Sequence, residues 1–314
     1  MLLYSYIKLN QIFLFLFFYI FHIKNVFLKY LIYYFFVFIF LIFTNMGNEQ
    51  KNLYDISTIL EVYENLEEKK WIEELLDNVK LKIFNNEIND ENIEEFKSIV
   101  RKITSGYYSM KDKFSEVYRD EWTRYFEHLR AVANIVLDLP NPSVEKVLIA
   151  LFHDSIEDIW ASFENIEFIS GDSKIALAVE ALSKRPWEDY SDDKVEWKKF
   201  RNEEYFVHME SFDSMKFYVD ELIETHKLEL SEKEIEEVIQ NIFDVKFADR
   251  IHNLSTQWDI NNLDKVKRKV EETKEYFLNS AKELNPVAYK KLKSLILELE
   301  IKLADVQKQV KNII

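Results

Sequence analysis

Apolar residues recur at helical spacing along most of the 314-residue chain. From Asp55 to Val79, Ile59, Leu60, Tyr63, Leu66, Ile72, Leu75 and Leu76 predict an amphipathic helix. Asn89-Asp90-Glu91-Asn92 offers cap chemistry for a second, carrying Ile93, Phe96, Val100 and Ile103. A third starts near His128 and shows Val132, Ile135, Val136 and Leu139 on one face. Pro140 and Pro142 end it, and Ser143 caps a helix that runs through Leu148–Asp158. Past Gly171, Ile175, Val179 and Leu182 mark another helix, which ends at Ser183-Lys184. A polar insert studded with aromatics follows, from Arg185 to Asp244; its His208 and His226 read as bystanders. Val245–Leu254 is helical again, and Val266, Val270, Phe277 and Ala281 form a further stripe. After Asn285-Pro286 the last helix carries Leu292, Leu295, Leu299, Leu303, Val306, Val310 and Ile313. That stripe suits cover for the core or pairing between subunits.

Composition supports an all-α fold. There are only three glycines and four prolines, so phosphate-cradling glycine loops, dinucleotide fingerprints and most hairpin turns are excluded. With no cysteine, disulfides, thiolate metal sites and cysteine nucleophiles are excluded too. Any metal has to be held by imidazoles and carboxylates, which favours Mn²⁺, Mg²⁺, Fe²⁺ or Zn²⁺. The net charge of −15 makes nucleic acid a poor partner.

Residues 1–45 are of another composition: Phe, Ile, Leu, Tyr, Lys and Asn, with no acid, Ala, Gly, Pro, Arg or Trp. The runs Ile12–Phe21 and Tyr30–Phe43 are each shorter than the ~20 residues of a spanning helix, although extension back to Val26 permits one tilted span. Two readings stay open: a membrane anchor, or translated sequence ahead of a true start at Met46. The expected localisation is cytoplasmic, with membrane attachment only through this segment.

Chemistry concentrates in Phe152-His153-Asp154-Ser155-Ile156-Glu157-Asp158. Wound as one helix, Leu148, Leu151, Phe152 and Ile156 fall on one side and His153, Asp154, Glu157 and Asp158 on the other, with His153 a turn from Glu157 and Asp154 a turn from Asp158. Such an arc is ordinarily a solvated face. Here it interrupts an apolar helix, and a divalent cation relieves the repulsion of its heads. Downstream, Asp249 and Asn253 stand one turn apart on a strip separate from Phe247, Ile251 and Leu254, a pair suited to a metal and a ligand hydroxyl; His252 reads as structural.

His128, the His153-Asp154 doublet with Glu157-Asp158, and Lys246-Phe-Ala-Asp249-Arg-Ile-His-Asn253-Leu occur in that order. This set resembles the HD-domain metal-dependent phosphohydrolases, and within them the RelA/SpoT-type (p)ppGpp hydrolase branch. The similarity takes in Gly171–Lys184 and Lys267–Ala281 and spans roughly residues 115–300. It implies an HD-domain helical bundle in which His128, His153, Asp154 and Asp249 hold one Mn²⁺-like ion. By the same resemblance Glu157 and Asp158 orient and deprotonate water, Asn253 touches the nucleotide sugar, Arg119 packs against the guanine, and Tyr125 matches a tyrosine of that substrate-binding stretch. The implied reaction is release of pyrophosphate from the ribose 3′ position of a small-molecule nucleotide.

Several positions depart from the branch's pattern. Leu129 stands where proline commonly follows the first His, Arg124 where proline precedes Tyr125, and Asp120 where a cation is usual. The insert is longer than is typical. All of these lie on the substrate side rather than among the implied ligands. The expected organisation is therefore a hydrophobic segment (1–45), a helical leader (46–118), an HD core (119–284) with the insert near 185–244, and a C-terminal helix (285–314), forming a stand-alone hydrolase of open oligomeric state. Two other readings remain: an HD-type phosphohydrolase of a different nucleotide, and a non-catalytic nucleotide sensor.

Overall fold

In the computed structural model, the residues described are 66–118, 125–184, 194–256, 258–259 and 262–313. The chain divides at Asp55, and all of these belong to the second unit, Ile56–Ile314. The hydrophobic segment 1–45, the start of the leader and Arg119 lie outside them. Among the described residues no helix is long and apolar enough to cross a membrane.

The described elements are all helices: α1 (Leu66–Phe84), α2 (Ile93–Lys113), α3 (Tyr125–Leu137), α4 (Val144–Phe152), α5 (Ser155–Ile159), α6 (Phe163–Ser170), α7 (Ser173–Leu182), α8 (Lys194–Met209), α9 (Phe212–His226), α10 (Glu232–Thr256), α11 (Leu263–Tyr276), α12 (Leu278–Leu284) and α13 (Pro286–Ile313). The all-α expectation holds. The stripes read from the sequence are those that sink: Ile72, Leu75 and Leu76 of α1, Phe96, Val100 and Ile103 of α2, and Val132 and Val136 of α3 are buried. The Ser143 hydroxyl accepts from the Lys146 backbone N–H at 3.3 Å, capping α4 as its position predicts. Gly171 closes α6 at φ +68°, a conformation that costs a residue with a Cβ.

Helix α10 forms the spine, packing against α3, α4, α7, α9 and α13. It starts well before Val245, where the sequence pattern places it, and so takes in the last part of the insert. The reason lies in the stripe itself. Ile235, Val238, Ile239 and Ile242 carry the buried face back into that stretch. The single helix expected through Leu148–Asp158 is also corrected. It breaks at the His153-Asp154 doublet into α4 and the five-residue α5, which stops at Trp160 in the left-handed region (φ 57°).

A buried ion pair fixes the base of the spine. Lys146 Nζ lies 2.7 Å from Asp244 Oδ2, and both side chains are almost fully enclosed. The ammonium also donates to the carbonyls of Pro140 (3.1 Å) and Asn141 (2.7 Å). Asp244 Oδ1 accepts from Asn285 Nδ2 at 2.6 Å, while Asn285 Oδ1 accepts from the Ala288 N–H at the start of α13. A charge pair withdrawn from water is tolerable when its remaining donors and acceptors are met in this way.

Candidate metal centre

Three helices bring the predicted donors together. His128 comes from the first turn of α3, His153 and Asp154 from the break between α4 and α5, and Asp249 from the last third of α10. His128, His153 and Asp249 are buried, and one donor atom from each lies within 4.8 Å of the others. His128 Nε2 stands 3.2 Å from Asp249 Oδ1 and 3.6 Å from Asp154 Oδ2. His153 Nε2 stands 3.0 Å from Asp154 Oδ2 and 4.0 Å from Asp249 Oδ1.

The other nitrogen of each imidazole is engaged. His153 Nδ1 lies 2.8 Å from the Ala150 carbonyl oxygen, so it carries the proton and leaves Nε2 to the centre. That Nε2 is buried and faces the carboxylate oxygens of Asp154 (3.0 Å) and Asp249 (4.0 Å). His128 Nδ1 lies 2.8 Å from His252 Nδ1. The residue set therefore fits a divalent cation with mixed imidazole and carboxylate ligands.

Without a cation the acids govern the protons. Burial disfavours the His153 imidazolium, yet the charges of Asp154 and Asp249 outweigh it and lift the pKa to about 9. His128 moves the other way, lowered by burial. Burial would raise Asp249, but Lys246 and the two imidazoles hold its carboxyl well below the usual range. Asp154 is likewise lowered, with His153 the main charge opposing its desolvation.

Around the donors the positioning groups differ in part from expectation. The Tyr125 hydroxyl donates to Asp154 Oδ2 at 2.7 Å, and burial with that charge keeps the phenol protonated. Asn253 Nδ2 donates to Asp249 Oδ1. Glu157 is held by Lys184, through its backbone N–H (3.0 Å to Oε1) and its ammonium (3.2 Å to Oε2). Asp158 is exposed on the outer edge, where partial desolvation and then the Asp154 charge push it up to about 6. Arg119 falls outside the described residues.

Two residues carry more than the sequence pattern suggests. His252, read as structural, touches a predicted ligand, and Lys246, unassigned, pairs with Asp249 Oδ2 at 3.0 Å. For Lys246 the i, i+3 spacing to Asp249 was the available signal. For His252 none existed, because its partner sits on another helix. Of the two insert histidines, His226 stacks on Phe163 and bonds Glu180, and His208 stacks on Tyr218.

No family model matches the chain, and no curated protein does. Among solved structures it is similar to one described as a metazoan ortholog of SpoT that hydrolyzes ppGpp and plays a role in starvation responses. That likeness has 17% identity and a TM-score of 0.44, over 63% of this chain and 94% of the other. Resemblance at this level bears on neither substrate nor site residues.

Proposed function

We propose that the chain is an HD-type, Mn²⁺-dependent phosphohydrolase that removes pyrophosphate from the 3′ position of (p)ppGpp, leaving GDP or GTP. The observation that carries the reading is the convergence of His128, His153, Asp154 and Asp249, with the Nε2 atoms of both imidazoles turned toward the two carboxylates. The ordered sequence set around those donors supports the reaction class.

A divalent ion at these donors supplies Lewis acidity to a phosphate oxygen and to water. The chain does the rest. Ala150 and His252 hold the two imidazoles in their ring orientations. Tyr125 and Asn253 each donate to a carboxylate of the donor set and fix its rotamer. Asp158, exposed and with its pKa raised to about 6, is in this reading the base that takes the proton of an attacking water. Glu157, anchored by Lys184, orients that water beside it. Arg119 supplies the base contact of the reading, Tyr125 lies on its substrate-binding side, and Asn253 gives the sugar contact.

Purified residues 46–314 with Mn²⁺ and ppGpp test this. The expected products are GDP and pyrophosphate. Orthophosphate released from other nucleotides in place of that reaction would give the alternative phosphohydrolase, and binding without turnover would give the nucleotide sensor.

A further inference from the structure

The insert contributes a residue to the centre that no motif marks. Tyr205, on α8, is buried with its ring beneath two ammonium groups: Lys184 Nζ lies 4.9 Å and Lys246 Nζ 5.1 Å from the ring centroid. Each of these lysines has one carboxylate in its care. Lys184 holds Glu157 at 3.2 Å and Lys246 holds Asp249 Oδ2 at 3.0 Å. An aromatic face attracts a cation placed over it, and this ring has one over it from each lysine.

The ring is itself held. Its neighbour Phe206 stacks on Tyr276 at 4.4 Å and 6°, and meets Phe277 edge-on at 6.0 Å, which pins α8 against α11 and the turn beyond it. Burial raises the pKa of the Tyr205 hydroxyl to about 12, against the opposing charge of the neighbouring Lys246, so it stays neutral. The brace uses the ring face, over which both ammonium groups lie.

We propose that Tyr205 is a positioning residue: its ring braces Lys184 and Lys246 together, and through them sets the carboxylates of Glu157 and Asp249 relative to one another. The inference rests on the metal-dependent reading of the site and gives the insert a role in it. The insert covers this side of the core and couples the water-orienting acid to a metal ligand through one aromatic ring.

Tyr205→Phe, Tyr205→Leu, Lys184→Met and the double variant Tyr205→Leu/Lys184→Met separate the brace from simple packing. Tyr205→Phe keeps the ring, so its Mn²⁺ affinity by calorimetry should stay within about twofold of the parent protein. Tyr205→Leu should lose roughly tenfold or more, the range typical of lost outer-shell support. In urea unfolding of the metal-free protein, Tyr205→Leu and Lys184→Met should be non-additive, because each removes the same contact. Additive losses, or a Phe variant as impaired as the Leu variant, would overturn the brace. Failure of the parent protein to bind Mn²⁺ would instead sink the metal reading, and the unfolding cycle, which needs no metal, would still decide whether the ring couples to Lys184.

Discussion

The Nδ1 atoms of His128 and His252 face each other at 2.8 Å, so one ring donates and the other accepts. If His128 donates, its Nε2 lone pair points at Asp249 and the His153 pair, as a ligand must. Through this contact His252 acts on the centre by way of His128. Replacing His252 with Ala should lower Mn²⁺ affinity by about 10- to 100-fold. His252→Phe, which keeps the ring volume but no acceptor, should do the same. Unchanged affinity in the Phe variant would mean that the imidazole contact has no role in orienting His128.

Lys146 and Asp244 tie the Pro140-Asn141 turn, the spine α10 and the cap of α13 into one network. Removing one partner strands a buried charge. Lys146→Met should cost about 3–5 kcal/mol in urea unfolding. A loss under about 1 kcal/mol would mean that water reaches the stranded Asp244.

Gly106 lets α2 approach α4 immediately before the doublet. A Cβ built there would meet Phe152 Cζ at 2.9 Å and Leu148 Cδ2 at 3.1 Å. Alanine improves helix propensity by about 1 kcal/mol, but overpacking against those two side chains costs about 1–3 kcal/mol. Gly106→Ala should therefore be destabilising by about 1 kcal/mol, seen as a lower urea midpoint with an unchanged slope. A raised midpoint would show that Phe152 can give way freely.

Lys269 supplies the pH dependence. Burial first, then the Arg250 guanidinium, lowers its pKa to about 8 from 10.5. Its folded value lies below its unfolded value, so between about pH 8 and 10.5 the unfolded chain binds more protons. Stability should rise with pH across that window, relative to a Lys269→Met variant. A difference curve flat from about pH 8 to 10.5 would contradict the depressed value.

How much of this was legible beforehand differs by element. The buried stripes of α1 to α4 and the cap at Ser143 follow from spacing and local chemistry, and all four donors came from an ordered pattern of residues. What escaped was tertiary. Periodicity alone cannot show a break at His153-Asp154, because the residues on both sides keep helical spacing while the doublet turns inward. A helical wheel puts Glu157 on the face of the donors, but its contact with Lys184, just after α7, comes from a residue 27 positions away. The contacts of His252 with His128 and of Tyr205 with Lys184 and Lys246 depend on partners far along the chain.

Calorimetric titration of Mn²⁺ into the metal-free protein addresses the centre itself. One ion per chain should bind, and His153→Ala and Asp249→Ala should each abolish that binding while the helical circular dichroism persists. Binding of undiminished strength in either variant, or none in the parent protein, would contradict a centre built from these donors.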